Sequence, residues 1–223
     1  KAKQNAKLKI ANKQKDEIIS AISHEFKNPI AIISGYTETI LNDEQMPQPM
    51  KIRFLKKIYS NANKMSHIVD KLRLTLKLEE GKQELILIPC SMKKLIITCI
   101  SDLKDKYKNR EILIQGDDIT LKVDETLISM AISNLIENAL KYSEDEIIVN
   151  ISDNSITIID KGIGIEEKEL EKINQKFYRI SNNGWNNSLG LGLFIVQSVL
   201  SLHNFTLKID SEFKNGSQFS INY

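Results

Sequence analysis

Cysteine is scarce: Cys90 and Cys99 are the only two in 223 residues. That excludes a disulfide scaffold and a cysteine-built metal cluster, and the pair reads as reduced, structural and cytosolic. Long apolar runs are also missing. The longest stretches, such as Leu95–Ile100 and Leu189–Val196, fall far short of the ~18 residues that span a bilayer, so no transmembrane helix is expected inside the chain. The chain starts at Lys1 and carries no signal peptide; it reads as a piece of a longer protein. Neither sign of charge dominates. Thirty-one Lys+Arg stand against 29 Asp+Glu, a net charge of +2, too balanced to make a nucleic-acid binder by charge alone. Disorder throughout is excluded by 41% hydrophobic and 27% charged residues, which are globular values. Against ~100–200 residues per domain, the length predicts two domains, or one domain with a long helical arm.

Glycine is nearly absent from the first eighty residues, where Gly35 stands alone. The segment reads as two long helices. Lys1, Lys3, Lys7, Lys9, Lys13 and Lys15 precede the first acid, Asp16. They suit either a solvated helix face or a segment just inside a membrane. Ile18, Ile22, Phe26, Pro29, Ile33, Tyr36 and Ile40 step by three or four residues and share a stripe ~80° wide. Asn42–Pro49 breaks the pattern, and its prolines can open a new helix. Leu55, Ile58, Ala62, Met65, Val69, Leu72 and Leu76 then follow a heptad seam. One hairpin cannot bury both stripes fully. A homodimeric four-helix bundle would, and a helical arm packed on its own globular domain is the alternative.

After Gly81 the texture changes. Leu85–Ile88 is a β-prone run ending at Pro89, and Ser91 can cap a helix through Leu103. Ile112–Ile114 and Ile119–Val123 flank Gly116–Asp117 as strand, turn and strand. Asp124 caps a helix to about Lys141. Strands follow at Ile147–Ile151 and Ser155–Ile159, a helix at Leu191–Leu202, and strands at Thr206–Ile209 and Gln218–Ile221. Strands interleaved with helices over ~140 residues predict an α+β sandwich, one mixed sheet with helices on one face.

Several residues in this frame carry chemistry. His24 lies ~180° from the centre of its helix's apolar stripe and so faces water. A neutral exposed imidazole is a competent nucleophile at neutral pH. Glu25 beside it can orient the ring or take its second proton. Asn28, one turn on, can hold a water, and Pro29 permits a kink. In the second half Asn134, Asn138 and Lys141 share a helix face, with Tyr142 next to them. Amide oxygens suit Mg²⁺ and a lysine suits phosphate. Asp160, at a strand end before Gly162, Gly164 and Ile165, can accept from an adenine amino group while the glycines let backbone approach. Gly190, Leu191, Gly192 and Leu193 open a helix whose free N–H groups favour a polyphosphate. Between these boxes, Lys176–Leu189, with Asn182–Asn187 inside it, is polar and breaker-rich, a lid candidate.

Taken in order, these motifs resemble the cytoplasmic catalytic core of the bacterial sensor histidine kinases. Ser23–Ile30 resembles that family's phospho-acceptor box, Asn134–Ser143 its asparagine box and Asp160–Ile165 its first glycine box. Lys172–Arg179 resembles its phenylalanine box, Ser188–Val196 the second glycine box and Asn215–Phe219 the last. The resemblance runs from about Asp16 to Tyr223. It implies an antiparallel helical hairpin, a four-helix bundle as a homodimer, followed by an α/β sandwich ATP-binding domain of the gyrase, chaperone and histidine-kinase type. The divisions expected are a linker or juxtamembrane helix over 1–15, a dimerisation and phospho-acceptor domain over 16–82, and an ATP-binding domain over 83–223.

The resemblance also implies roles. His24 would be the phosphorylated residue, Glu25 the acid/base beside it, and Asn28 the positioner of water when the regulator is dephosphorylated. Asn138 would ligate Mg²⁺, with Asn134 one turn earlier. Lys141 and Tyr142 would meet phosphate or ribose, and Asp160 adenine. Gly162, Gly164, Ile165, Phe177, Arg179, Gly190, Leu191, Gly192, Leu193 and Ser217 would line the ATP pocket. Related ATPases usually carry glutamate where Asn134 stands, so its absence favours transfer over hydrolysis. The partners implied are a response regulator with an acceptor aspartate and a second copy of the chain, with no nucleic acid, and the whole protein anchored upstream in a bacterial inner membrane. A catalytically weak ATP-binding dimer, acting as scaffold or phosphatase, is the alternative. Three positions depart from the family pattern: Asn174 for an aromatic anchor, Ser188-Leu189-Gly190 for Gly-Thr-Gly, and Lys214 for a common glycine. All lie at the lid or rim.

Overall fold

A computed structural model describes the backbone of residues 2–81, 83–104, 106–180 and 189–223, and their side chains from Ile19 onward. Two compact units emerge among the described residues, one within 2–76, the other within 77–180 and 190–223.

The first unit is a helical hairpin, α1 (Ala2–Asn42) and α2 (Gln48–Glu79). Helix α1 runs through Pro29 without interruption. The turn closes where the Lys51 N–H donates to the Pro47 carbonyl, with Pro49 in the first turn of α2, where its missing N–H costs nothing. Tyr36 stacks on Phe54 with ring centroids 4.8 Å apart and sets the register of the pair. The α1 stripe emerges as expected: Ile22, Phe26, Ile33, Tyr36 and Ile40 are half-buried and Pro29 is buried. The side chain of Ile18 and those of the lysine run lie outside the described residues.

The α2 seam divides into two lines. Phe54, Ile58, Asn61, Met65, Ile68, Leu72 and Thr75 form the covered line, and Lys71, Leu74 and Leu78 are half-buried as well. Leu55 and Val69 are each 50% exposed and Leu76 58%, and Ala62 is exposed beside them. Within one chain the hairpin covers Ile58, Met65 and Leu72 of the heptad seam and leaves Leu55, Ala62, Val69 and Leu76 open. The reason is the width of a helix: one partner helix covers one line of the heptad and leaves its neighbour in water.

The second unit contains β1 (Ile88–Ser91), α3 (Met92–Lys104), β2 (Ile112–Gln115), β3 (Thr120–Val123), α4 (Glu125–Tyr142), β4 (Ile147–Ile151) and β5 (Ser155–Asp160). A one-turn helix α5 (Glu167–Leu170), then α6 (Gly192–Leu202), β6 (Thr206–Glu212) and β7 (Gly216–Asn222) complete it. Five strands form a mixed sheet in the order β2-β4-β5-β7-β6, with β2 parallel to β4 and the other pairs antiparallel. Alternation along β4 sends Ile147, Val149 and Ile151 into the core. Helices α4 and α6 pack on each other, α4 also on β5, α6 on β6, and α3 on α4.

Two expectations are corrected here. The single sheet becomes two, because β1 and β3 pair with each other as a separate antiparallel ribbon. Asp118 explains the diversion: its carboxylate accepts from Ser91 Oγ at 2.7 Å and from the Lys93 N–H at 3.0 Å. That pulls the segment after Gly116 toward the start of α3. The run Leu85–Ile88 also shifts, since the strand is Ile88–Ser91 and includes Pro89. A two-stranded ribbon has open edges where a residue without an N–H is tolerated. Ser91 does cap α3, accepting from the Lys94 N–H at 3.2 Å, and Asp124 caps α4, accepting from the Leu127 N–H at 3.1 Å.

The other end of α4 is held by a side chain from far upstream. The Arg110 guanidinium donates to the carbonyls of Leu140 (2.9 Å), Ser143 (2.6 Å) and Asp145 (2.7 Å) and to Ser143 Oγ (3.0 Å). It satisfies carbonyls that the helix end leaves open, and a cation there suits the helix dipole. Replacing Arg110 by Met is expected to lower unfolding stability by about 1.5–3 kcal/mol, the worth of hydrogen bonds to a charged group, measured by urea denaturation.

Candidate functional site

His24 is exposed on α1, off the buried stripe, and Asn28 is exposed one turn later. Glu25 is buried at 6% exposure. Successive helical residues point ~100° apart, so imidazole and carboxylate do not share a face.

In the second unit three elements carry the remaining residues. Helix α4 brings Asn134, Asn138 and Lys141. Asn134 is buried, and its Nδ2 donates to the Met130 carbonyl at 2.8 Å. That leaves the amide oxygen aimed at the start of α6, where a Cβ on Gly192 would stand 3.4 Å from it. Asn138 and Lys141 are half-buried, and Lys141 Nζ lies 3.8 Å from the Glu137 carboxylate. Tyr142 is partly exposed; burial pushes its phenol up, and the Arg179 guanidinium opposes that.

The end of β5 carries Asp160, 5% exposed. Its Oδ1 accepts from the Gly162 N–H at 2.8 Å. Burial raises its carboxyl above the usual range, against the pull of the Gly162 and Ser217 N–H groups. The following loop is pinned on both sides. The Ile163 N–H donates to the Tyr142 carbonyl at 3.1 Å, and the Lys214 N–H to the Ile163 carbonyl at 2.7 Å. Gly164 is required where it stands: its φ is +61°, and a Cβ would meet the Glu212 carbonyl oxygen at 1.9 Å.

The third element is the turn into α6. The Phe177 N–H donates to the Gly190 carbonyl at 3.0 Å. Gly190, at φ +67°, leaves 2.6 Å between an added Cβ and the Tyr178 carbonyl oxygen. Leu191 is buried and Leu193 half-buried. Lys176 Nζ sits 4.8 Å over the Phe194 ring, tying the segment before Phe177 to α6. Asn182–Asn187 and Ser188, expected in a lid, lie outside the described residues. Two of the atypical positions have visible consequences. Lys214 takes φ +71°, a left-handed conformation that explains why glycine suits that place. The Asn174 amide oxygen is enclosed with no hydrogen-bond partner among the described residues.

A further contributor is Ser211, which no sequence motif marks. Ser211 on β6 accepts from the Ile165 N–H at 2.9 Å and donates to the Gly216 carbonyl, while its oxygen lies 2.9 Å from Ser217 Oγ. A serine on a strand carries no local signal for this. The arrangement gathers Asn134, Gly192, Phe177 and Gly190 around one helix start, and Asp160, Gly164, Ile165 and Ser217 around one strand end. An amide oxygen such as that of Asn138 is a hard donor, fitted to Mg²⁺, which takes few protein ligands and keeps waters and substrate phosphates for the rest. Such an ion would supply charge neutralisation for phosphate oxygens.

A sheet with helices on one face, a buried carboxylate at a strand end and a glycine turn at a helix start define an ATPase-type α+β domain. Comparison with known proteins agrees. Residues 123–223 match the Histidine kinase-, DNA gyrase B-, and HSP90-like ATPase family, and residues 14–81 match the His Kinase A (phospho-acceptor) domain. The phosphate regulon sensor protein PhoR of Pseudomonas aeruginosa is 30% identical over 218 residues, 93% of this chain and 49% of that protein. The sensor-like histidine kinase SenX3 of Mycolicibacterium smegmatis is 27% identical over 92% of this chain and 56% of its own length. The chain thus spans about half the length of these relatives. The histidine kinase AdeS of Acinetobacter baumannii shares the fold, with a TM-score of 0.67 at 20% identity over 89% of this chain and 95% of that one. The chain belongs to the bacterial sensor histidine kinases and holds their phospho-acceptor and ATPase domains. Among the described residues, no helix is long and apolar enough to cross a membrane.

Asp160 generates a test in pH. A carboxyl whose pKa is raised by folding adds stability below its unfolded pKa and loses it as pH rises through the folded value. The stability of the unsubstituted chain relative to Asp160→Asn is therefore expected to be greatest at acid pH and to fall as pH rises through the raised value. Thermal melts of both proteins across pH 3–8 measure the difference; a constant gap would contradict the buried, titrating carboxylate.

Proposed function

We propose that this chain transfers the γ-phosphoryl group of ATP to His24 and passes it on to an aspartate of a response regulator. The observation that carries the reading is the meeting of Asn134 with Gly192: the helix of amide donors and the helix whose free N–H groups suit phosphate converge at one point. Asp160 then reads the adenine amino group, with the loop to Ile165 against the base and Ser217 beside it. Lys141, Tyr142 and Arg179 offer cationic and hydroxyl groups to phosphate and ribose, and Asn138 holds Mg²⁺. A lone pair of the neutral His24 ring attacks the γ-phosphorus. The bond from that phosphorus to the β–γ bridging oxygen breaks, and ADP leaves with the electron pair. The proton on the other ring nitrogen passes to a base, the role assigned to Glu25, whose buried carboxylate must turn toward the ring to take it. Asn28, exposed on the same face as His24, positions the water that hydrolyses the regulator's phosphoaspartate.

The chain acts as a homodimer. Leu55, Ala62, Val69 and Leu76 form an exposed apolar line on α2, and Ile19, Ile30 and Leu41 are exposed on α1. A second hairpin covers them in a four-helix bundle. The six lysines before Asp16 suit a place beside the cytoplasmic face of a membrane that anchors the whole protein.

His24→Gln is expected to abolish labelling by γ-labelled ATP while nucleotide binding persists, since the residue lies off the buried stripe. The label on the unsubstituted chain should be acid-labile and alkali-stable, as a phosphoramidate is. Undiminished labelling of the variant would place the acceptor elsewhere, and no labelling of either would favour a scaffold or phosphatase.

For assembly, light scattering at micromolar concentration should give a dimer. Leu55→Asn with Val69→Asn should give a folded monomer, because both positions are half-exposed within one chain. An unsubstituted chain that stays monomeric overturns the bundle.

A further inference from the structure

His203 lies at the C-terminal end of α6, far from the glycines that open it, and is buried at 8% exposure. Both ring nitrogens are used. Nε2 accepts from the Asp124 N–H at 3.0 Å, and Nδ1 lies 2.8 Å from the Val199 carbonyl. A nitrogen that accepts carries no proton, so the ring is neutral, with its hydrogen on Nδ1 donated to Val199. The ring also packs on Phe205, centroids 5.7 Å apart, and Phe205 on Tyr223 at 5.6 Å.

Asp124 is buried too, at 7% exposure, and is a junction. Its backbone N–H goes to His203. One carboxylate oxygen accepts from the Leu127 N–H at the start of α4, and the other accepts from the Ile86 N–H at 3.0 Å. So one residue ties the segment before β1, the start of α4 and the end of α6.

The two contacts between α4 and α6 form a frame. At one end His203 meets Asp124; at the other Gly192 meets Asn134. The helices therefore run antiparallel. The spacing is eleven residues on α6 and ten on α4, about 16.5 Å and about 15 Å at 1.5 Å per residue. The two spacings agree to within one helical rise. Buried apolar side chains fill the interval between the two contacts, such as Ile128, Ile195 and Val199, but hydrophobic contact is non-directional. A hydrogen bond at a fixed ring is directional.

We propose that His203 is a positioning residue: its ring sets the register of α6 against α4, and so holds the Gly190–Gly192 turn in place beside Asn134. A slip of one helical rise would carry the phosphate-facing N–H groups about 1.5 Å from the amide donors of α4. Asp160 and its loop lie on neither helix; the loop bonds the last carbonyl of α4 through Ile163 and Ser211 of β6 through Ile165, and makes neither bond to α6, whose register the pin sets. The inference rests on the reading of a nucleotide site given above.

The test is calorimetric titration of the full chain with two ligands: a non-hydrolysable ATP analogue with Mg²⁺, and adenosine. His203→Met removes the acceptor at similar volume; His203→Gln places an amide oxygen near where Nε2 stood. The Met variant is expected to bind the analogue about tenfold more weakly and adenosine within about twofold, with the Gln variant within about threefold of the unsubstituted chain on both. No loss in the Met variant, or an equal loss on both ligands, overturns the proposal, the equal loss being what a merely structural role produces. A measurement on the unsubstituted chain decides the matter even if the Met variant does not fold. Coupling is reciprocal, so the analogue with Mg²⁺ should slow hydrogen exchange of the Asp124 amide about tenfold more than adenosine does at equal saturation. Equal slowing overturns it. A chain that binds neither ligand fails the nucleotide-site reading itself, whereas one that binds the analogue with the same affinity with and without the His203 acceptor fails only the positioning role.

Discussion

The antiparallel packing of α4 on α6 over the mixed sheet is the constraint on which the second unit depends. Ile128, Ala131, Ile132 and Leu135 from α4, with Ile195, Val196 and Val199 from α6, are all buried, and the sheet supplies Val149, Ile156, Ile158 and Phe219 beneath them. Because interiors are close-packed, these side chains leave little freedom for either helix to rotate. Everything the site uses hangs from that frame. Asn134 points at Gly192 because α4 and α6 meet there. Asp160 reaches the same region because β5 runs beneath α4, and Ile163 bonds the last carbonyl of that helix.

Polar groups then convert a soft frame into a defined one. Hydrophobic burial supplies most of the stability and is non-directional, so directional contacts add to the register that close packing sets. Arg110 at one end of α4, Asp124 and His203 at the other, and Ser211 under the glycine loop are directional contacts to backbone groups. Each satisfies groups that would be costly to leave unpaired. These side chains hold backbone groups in place around the candidate site. None of them need touch a nucleotide to matter for one.

The hairpin follows a different logic. Its two helices are individually polar on most of their surface, and their contact covers one line of each. The apolar line left open on α2 belongs to the same seven-residue repeat as the covered one. Helical period reports which residues share a face. It does not report how many helices that face meets.

Local features were legible in the order of amino acids alone. The 3.6-residue period of Ile22 to Ile40, the caps Ser91 and Asp124, and the glycines at positive φ are decided within a few residues of chain, and so are the exposure of His24 and the strand that ends in Asp160. The ordered motifs of the nucleotide domain were legible for the same reason: each is a short segment with its own backbone demand. The tertiary structure alone decided the rest. The separation of β1 and β3 from the main sheet came from Asp118 reaching back to Ser91, 27 residues earlier. Ser211, Arg110 and His203 act across 46, 33 and 79 residues. Their hydrogen-bond partners are backbone groups, which every residue carries, so no residue type in the sequence marks where such a bond will land; only the packed fold brings the two ends together.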